Sequence, residues 1–356
     1  MKSNKNCISL IKYGINYEGS ITDAVRLPLK VIPNALNEKN LIGGKKEFSL
    51  MESSVITTFR GGKTVNEGKW GTIEEWCQVD GNSIGNPEIF YEKRGRSSVS
   101  NLLPEACLQI AARQCLSEIG CESVVSEVRR ILRHGRSVTF MMEPFIKFLS
   151  LHEALQYVYQ ASLKGLAFDL WFIQIFSQIV LLLQYLEENI GLNHRDLQGE
   201  NILISMTPTA KTIEIPLTTG KWSMSYEHEI KLVDFGFACN GFEMNAPADI
   251  SVGDTFPPFE WCPKEGRDIY YILCYFYGQP EFRASVSASL LAQIQKWLFS
   301  DLGAEKVRES LELYGLSRLE WISFLVNTSK YRCADCCPKK ILPWIAERWP
   351  EVLKKV

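Results

Sequence analysis

Two stretches, HRDLQGENILI at residues 194–204 and IKLVDFGFA at residues 230–238, carry the strongest signal in this 356-residue chain. The first stretch matches the pattern H-R-D-L-x-x-x-N at every specified position, and the second supplies the triplet D-F-G. Apolar residues flank this triplet, as a short β-hairpin requires. A lone triplet is a weak signal, but the two motifs in this order are a specific one.

With these two motifs the chain resembles the eukaryotic protein-kinase superfamily. Phosphoryl transfer depends on positioning and charge neutralisation more than on covalent chemistry by the protein. The resemblance implies that Asp196 accepts or orients the proton of a substrate hydroxyl. It also implies that Asn201 and Asp234 hold magnesium ions that bridge the ATP phosphates, because Mg²⁺ prefers hard oxygen ligands. Supporting roles follow for the remaining motif residues, His194, Arg195, Phe235 and Gly236.

A glycine-rich stretch before these motifs, NEGKWGTI at residues 66–73, resembles the family's phosphate-binding loop G-x-G-x-x-G-x-V, with Asn for the first Gly and Ile for Val. Glycines would let backbone amides approach phosphate closely, and Ile73 would cover the adenine. A tight hairpin is the alternative interpretation, since glycine-rich turns are common. The candidate ATP contacts here are Asn66, Gly68, Gly71 and Ile73.

Lys93, at the end of the predicted strand EIFYEK, and Glu105, in the first turn of a predicted helix, resemble the family's strand lysine and helix glutamate. A buried ammonium needs a carboxylate partner, so this pairing would let Lys93 sit beside the α- and β-phosphates. Lys30 in RLPLKVIPN is a rival, but it precedes the glycine loop and is far from any suitable helix. Alternatively, Lys93 faces solvent and Glu105 only complements the helix dipole.

Two further segments resemble parts of a kinase. VTFMMEPF at residues 138–145 is similar to the strand that leads to the hinge, with Met142 as gatekeeper and Glu143 at the start of the hinge, where backbone groups would bind adenine. An ordinary buried strand would show the same apolar run. Asp268 opens the apolar stretch GRDIYYILCYFYG and resembles the aspartate that holds the backbone of the catalytic loop. It would serve equally well as a helix cap.

Periodicity predicts strands and one main helix first and mostly helices later, which suggests two lobes of different class. Together with this pattern, the resemblance implies an α+β, bilobal, kinase-like fold. The predicted elements are a strand, turn and strand over 61–94, a helix over 102–119, a buried strand over 138–142 and two helices over 152–189. We assign residues 1–60 to an N-terminal extension, 61–145 to the small lobe, and 146–356 to the large lobe with divergent C-terminal helices.

The chain departs from the family pattern after the two motifs. The A-P-E triplet is replaced by PPFEW at residues 257–261, and Gln198 occupies a position where serine/threonine kinases usually carry lysine. Residues 205–229 are rich in Thr, Pro and Gly, which predicts a surface insertion. The short activation segment, the missing A-P-E triplet and the unusual C-terminal region look similar to those of haspin-like kinases and of divergent kinases of large DNA viruses.

The composition limits the classes of partner that the chain is expected to bind. The chain has 39 Lys and Arg against 41 Asp and Glu, so its formal charge of −2 gives no general attraction to nucleic acid or anionic membrane. We therefore expect neither as a partner. A basic run that would suit an acidic partner is interpreted as a solvated face: Arg129, Arg130, Arg133, His134 and Arg136. The apolar stretch 166–186 contains Asp and Gln, which favours a buried core helix over a membrane span.

Cysteine usage predicts the compartment. Eleven cysteines are an odd number in a chain too large to need disulfides, so we expect free thiols and an intracellular protein, cytoplasmic or nuclear, or in a host cell or virion if viral. The cluster Cys333, Cys336 and Cys337 suggests zinc spacing, but it has no fourth ligand nearby. We interpret these three residues as free thiols as well.

The resemblance thus implies an ATP- and Mg-dependent protein kinase that acts on protein hydroxyls, Ser/Thr in preference to Tyr. A pseudokinase or scaffold that binds nucleotide without turnover is one alternative, and a small-molecule kinase of related fold is another. In the family, the arginine before the catalytic aspartate often meets a phosphate on the activation loop, which makes Ser251 and Thr255 candidate phosphosites. Alternatively, these hydroxyls only serve loop turns.

Overall fold

A computed structural model of the chain describes residues 31–33, 36–40, 46–52, 55–67, 71–79, 88–96, 100–134, 136–241, 248–252, 261–300, 305–315 and 335–356. Within them the fold is mixed α+β, as the sequence predicts. The chain divides into two compact units. The smaller unit holds the described residues up to Gln114 together with Val125–Ile146, and the larger holds those of Cys115–Val124 and Lys147–Val356.

The smaller unit is built on an eight-stranded sheet. Its strands are β1 (Val31–Pro33), β2 (Leu36–Asn40), β3 (Lys46–Glu52), β4 (Val55–Glu67), β5 (Gly71–Gln78), β6 (Ile89–Gly95), β7 (Val128–His134) and β8 (Ser137–Met142). The strand order is β1-β7-β8-β6-β5-β4-β3-β2. β1 and β7 are parallel, and the other neighbours are antiparallel.

Each face of this sheet carries a cluster of buried apolar side chains. Helix α1 (Leu103–Ser117) begins where Asn101 Oδ1 accepts a hydrogen bond from Leu103 N at 3.1 Å. One face packs with α1 through Ala106, Cys107, Ile110, Ile131, Phe140 and Met142. The opposite face carries a second cluster that includes Phe48, Phe59, Trp76 and Phe90. The predicted helix over 102–119 and the strand over 138–142 are therefore confirmed.

The predicted N-terminal extension needs correction. Strand β4 runs through residue 60, and β3 pairs with it along its whole length, so the described part of residues 31–60 belongs to the same sheet. Gly61 and Gly62 suggested a boundary, but they lie at a bulge where the register with β5 shifts. Gly62 has φ +77°, which glycine adopts without cost. Residues 1–30, with Lys30, lie outside the described residues.

The larger unit contains most of the helices. They are α2 (Leu151–Gln160), α3 (Leu166–Ile190), α4 (Arg267–Gly278), α5 (Pro280–Ser285), α6 (Ala288–Phe299), α7 (Glu305–Tyr314) and α8 (Pro338–Arg348). Short strands complete it: β9 (Phe148–Ser150), β10 (Leu192–Asn193), β11 (Ile202–Ser205), β12 (Lys211–Leu217), β13 (Gly220–Tyr226), β14 (Ile230–Leu232), β15 (Cys239–Asn240), β16 (Ile250–Ser251) and β17 (Leu353–Lys355). The two helices predicted over 152–189 are confirmed as α2 and α3.

Helix α3 forms the centre of this unit. Phe172 packs edge-to-face on Phe276 of α4, with ring centroids 4.9 Å apart. The helix is long and apolar enough to cross a membrane, yet 72% of its most apolar 18-residue window is buried inside the protein. Such burial is typical of a core helix. The helix ends at Gly191, whose φ of +60° suits glycine.

Within the predicted surface insertion over 205–229, residues 211–226 form a β-hairpin that has one exposed face and one buried face, so the segment is not a loop confined to the surface. β12 pairs with β13 over its full length, and β13 also pairs with the C-terminal strand β17. The inward side chains alternate along both strands and are buried: Ile215, Leu217, Trp222, Met224 and Tyr226. The hairpin is thus part of the core, since each of these side chains loses its contact with water.

The expectation of free thiols throughout is also wrong. Cys239 in β15 and Cys262 form a disulfide across 23 positions of sequence. The odd cysteine count describes the whole chain and says nothing about which pair the fold brings together. Cys336 is buried and Cys337 is half-buried, and neither is in a disulfide. Cys333 lies outside the described residues.

Candidate active site

The antiparallel pairing of β11 with β14 brings the two sequence motifs together. Ile202 pairs with Leu232, and Val233 N donates to Asn201 O at 3.1 Å. Asn201 comes directly before β11, and Asp234 follows β14 by two positions. The pairing of β11 with β14 aligns the ends of the two motifs. Within the described residues, the short hairpin expected around the D-F-G triplet is not formed, because the strand that follows the triplet, β15, pairs with β10 and β16 and not with β14.

Asn201 and Asp196 are linked by hydrogen bonds. Asn201 Nδ2 donates to Asp196 O at 2.7 Å and to Asp196 Oδ2 at 2.9 Å. Both donors of the amide are thus used within the loop, which leaves Asn201 Oδ1 as an acceptor for another group. An amide oxygen beside a carboxylate is a hard ligand set, so these residues fit a magnesium ion.

The D-F-G triplet forms a tight turn. Asp234 has φ +63°, its side chain is exposed, and its Oδ1 accepts from Gly236 N at 3.1 Å. Phe235 is fully buried, with its ring 4.9 Å from that of His194. His194 Nε2 lies 3.0 Å from Val233 O, which favours a proton on that nitrogen. These contacts anchor the turn that carries the exposed Asp234 carboxylate through the buried ring of its neighbour Phe235.

Asp268 holds the backbone of the loop at residues 194–201, the candidate catalytic loop. Its Oδ2 accepts from His194 N at 2.6 Å and its Oδ1 from Arg195 N at 2.8 Å. The N-cap position of its own helix, Gly266, has no side-chain cap. Of the two roles that the sequence allows, the geometry therefore favours the support of the catalytic loop.

Arg195 joins the catalytic loop to the segment after the D-F-G triplet. The backbone of Arg195 has φ +66°, an uncommon conformation that concentrates at functional sites. The buried guanidinium donates to the carbonyls of Phe237 at 2.5 Å, Ala238 at 3.2 Å and Val252 at 3.3 Å, and to Ser251 Oγ at 2.8 Å. Of the two candidate phosphosites, Ser251 thus contacts Arg195, and Thr255 lies outside the described residues.

In the smaller unit, Lys93 and Glu105 form an ion pair. Lys93 Nζ lies 2.6 Å from Glu105 Oε1, and the side chains are 14% and 2% exposed. The alternative in which Lys93 faces solvent is therefore excluded. Ile73 lies opposite Lys93 in the sheet, and Asn66 lies opposite Ile73, so three of the candidates form one row across β4, β5 and β6.

The other nucleotide candidates are placed as follows. At Gly71, a Cβ atom would lie 2.4 Å from Arg94 O, so strand packing by itself requires glycine there. Met142 is buried in the face covered by α1, and Glu143 N donates to Glu127 O at 2.8 Å. Gly68 lies outside the described residues.

The opposite face of β6 holds a charge network that the sequence did not predict. Glu74 and Glu92 lie directly opposite each other, an arrangement that destabilises a sheet unless it is compensated. Arg94 lies 3.3 Å from Glu74 and 2.9 Å from Glu92, Lys46 lies 3.1 Å from Glu74, and Thr139 donates to Glu92 at 2.7 Å. The compensation rigidifies the strand that carries Lys93.

A second carboxyl that sequence reasoning missed lies near Asp268. Glu187, at the C-terminal end of α3, is buried, and its Oε2 accepts from Asn193 Nδ2 at 3.1 Å and from Gly266 N at 3.2 Å. Burial, and then the charge of Asp268, raise the pKa of Glu187 to about 8. An acidic residue within an otherwise apolar helix was the signal available in the sequence.

Comparisons with known proteins add little to this description of the site. No family model matches the chain, and no curated protein does. Among solved structures, the crystal structure of the kinase domain of PF14_0431 is similar, with 18% identity and a TM-score of 0.34. The likeness covers 60% of this chain and 58% of that one, less than two thirds of its length.

Proposed function

We propose that the chain is an ATP- and Mg-dependent protein kinase with a bilobal, kinase-like fold, and that it phosphorylates serine or threonine hydroxyls of a protein substrate. The arrangement around the catalytic loop carries the proposal. Asp268 holds the backbone amides of His194 and Arg195, while Asn201 holds Asp196 and keeps an amide oxygen available. Each of these contacts suits the role that the resemblance gives to that residue.

In this proposal the residues divide the work as follows. Asp196 orients the substrate hydroxyl and accepts its proton. Asn201 Oδ1 and the exposed carboxylate of Asp234 hold magnesium, which when bound neutralises charge on the ATP phosphates. Lys93, kept in place by Glu105, pairs with the α- and β-phosphates. The protein thereby contributes position and charge, which are the main requirements of phosphoryl transfer.

The proposed adenine contacts come from residues that are far apart in the sequence. Ile73 would cover the base, and the backbone at Met142 and Glu143 would bind its edge. The row formed by Asn66, Ile73 and Lys93 supports this assignment, because it places an apolar side chain between the two positions that would serve phosphate.

The direct test is transfer of labelled γ-phosphate from ATP with Mg²⁺ to a pool of proteins and peptides, followed by phosphoamino-acid analysis. Asp196→Asn removes the proposed base, and Asp335→Asn, the same change elsewhere in the larger unit, is the control. We expect label on serine or threonine that disappears only in Asp196→Asn. Label on tyrosine would correct the residue class. ATP binding without any transfer would favour the scaffold, and label confined to small molecules would favour a small-molecule kinase.

A further inference from the structure

Two buried acidic residues lie behind the catalytic loop of the larger unit. Glu187 is 5% exposed and Asp268 is 3% exposed. Glu187 Oε2 accepts from Asn193 and from Gly266 N, and Asn193 Oδ1 accepts from Lys264 N at 2.6 Å. These bonds connect β10, which leads directly into His194, to residues 264–266, which lead into α4. Glu187 therefore joins the two segments that Asp268 also joins.

The two carboxyls are not equivalent. Both oxygens of Asp268 accept hydrogen bonds from catalytic-loop amides, as an ionised carboxylate would. In contrast, Glu187 Oε1 is buried and has no hydrogen-bond partner among the described residues. An anionic oxygen without a donor is costly in the interior, whereas a neutral carboxyl with its proton on Oε1 avoids most of this cost.

The charges around Glu187 favour the same state. The charged groups that act on its carboxyl are those of Asp268 and Glu265, and both are acidic. Lys264, from the same segment, enters the cluster through its backbone N–H. Burial and the charge of Asp268 raise the pKa of Glu187 to about 8, while the bonds from Asn193 and Gly266 lower it.

We propose that Glu187 is a positioning residue which, as a neutral carboxyl, holds β10 and the start of α4 together and so keeps Asp196 in place. Its assignment to catalysis rests on the proposed function. When a base in the solvent removes the proton from Glu187, a second negative charge appears beside Asp268. Repulsion between the two carboxylates then weakens the hydrogen bonds that Asp268 accepts from the amides of His194 and Arg195.

The activity test compares wild type with Glu187→Gln between pH 7 and pH 9. Glutamine keeps an oxygen for Asn193 and Gly266 but carries no titrating proton. We expect the kcat of wild type to fall by about tenfold more than that of Glu187→Gln, the factor that follows from a pKa of about 8. KM for ATP should not change. Glu309→Gln, at an exposed position of α7, should follow wild type. A parallel decline in wild type and Glu187→Gln would overturn the proposal.

A second measurement does not depend on activity. Hydrogen exchange at the amides of His194 and Arg195 reports directly on the hydrogen bonds that these amides donate to Asp268. We expect their protection factors to fall between pH 7 and pH 9 in wild type and to stay constant in Glu187→Gln. This result in a protein without transferase activity would refute the proposed function and keep the role of Glu187. Equal falls in both proteins would refute the role.

If Glu187→Gln does not fold, wild type alone decides the matter. The protection of His194 and Arg195 is then compared with that of amides in α6 over the same pH range. A fall confined to the catalytic loop supports the proposal. A uniform change along the chain contradicts it.

Discussion

The ion pair between Lys93 and Glu105 shows how one residue depends on another. Glu105 is almost fully buried, and Lys93 is only slightly exposed, so water solvates neither charge well. The contact explains how an ammonium is kept on the apolar face of a sheet. The sequence suggested this pair through its resemblance to the strand lysine and helix glutamate of protein kinases.

We predict that Glu105→Gln lowers the free energy of unfolding by about 2–3 kcal/mol, because Lys93 loses its counter-charge in a largely buried place. Affinity for Mg·ATP should fall with it. Denaturant unfolding and nucleotide titration measure the two effects. The matched control is Glu47→Gln, which breaks the exposed pair with Arg60 and should cost less than about 1 kcal/mol. Equal losses in the two variants would refute the buried pairing.

Gly241 illustrates a close backbone contact. A Cβ atom at this position would lie 1.7 Å from Cys262 O, and a backbone atom cannot move aside as a side chain can. We predict that Gly241→Ala lowers the free energy of unfolding by about 2 kcal/mol or more. Gly120→Ala, where φ is +67° but no atom lies within 4 Å, should cost only about 1 kcal/mol. Thermal unfolding of the two variants checks the order.

The residues that the sequence identified best belong to short motifs. His194, Asp196 and Asn201 lie within eight positions, so a single loop holds them whatever the rest of the fold does. Glu187 and the pair Cys239 and Cys262 escaped because their roles arise only when distant segments meet. No local sequence pattern predicts that the end of α3 lies against the start of α4.

At the scale of elements, the hairpin of β12 and β13 is the main difference from the sequence prediction. The alternation Ile213, Ile215, Leu217 was visible, but Pro216 and the Thr-Thr-Gly turn suggested a loop. Proline is tolerated there because β12 is an edge strand and Pro216 is exposed. Gly220, with φ +127°, begins the returning strand.

We predict that Trp222→Ala lowers the free energy of unfolding by about 3–5 kcal/mol, since Trp222 is 2% exposed and lies in the core of this small sheet. Its Nε1 also donates to Thr219 Oγ1 at 3.1 Å. Lys221→Ala, on the neighbouring exposed position, should change stability by less than about 0.5 kcal/mol. Chemical denaturation distinguishes the two. A small effect of Trp222→Ala would mean that the hairpin is peripheral after all.

At the scale of the whole molecule, Glu187 makes stability depend on pH. Its pKa is raised from the ordinary value of 4.5 to about 8 in the folded protein, so the folded state binds the proton more tightly than the unfolded one. Its contribution is therefore fully present below about pH 4.5 and is lost as pH rises through about 8. We predict that the stability of wild type relative to Glu187→Gln falls across this range, as measured by unfolding at a series of pH values. A difference that does not vary with pH would contradict this.

The disulfide also acts on the whole molecule. Cross-linking Cys239 and Cys262 restricts the unfolded chain, and for a loop of this size the entropic model gives about 3 kcal/mol of stabilisation. We predict that a thiol reductant, or Cys262→Ser, lowers the free energy of unfolding by about that amount. Cys337→Ser, which breaks no disulfide, should leave it nearly unchanged. Unfolding curves with and without reductant provide the measurement.

The same bond alters the covalent connectivity of the chain. Asp196 and Asn201 lie on the N-terminal side of Cys239, and Asp268 lies on the C-terminal side of Cys262. A single break in the main chain between the two cysteines therefore leaves one molecule, whose two pieces separate on a gel only after reduction. Asp196 and Asp268, the residue that holds its loop, would then stay joined through sulfur when the peptide backbone between them is cut.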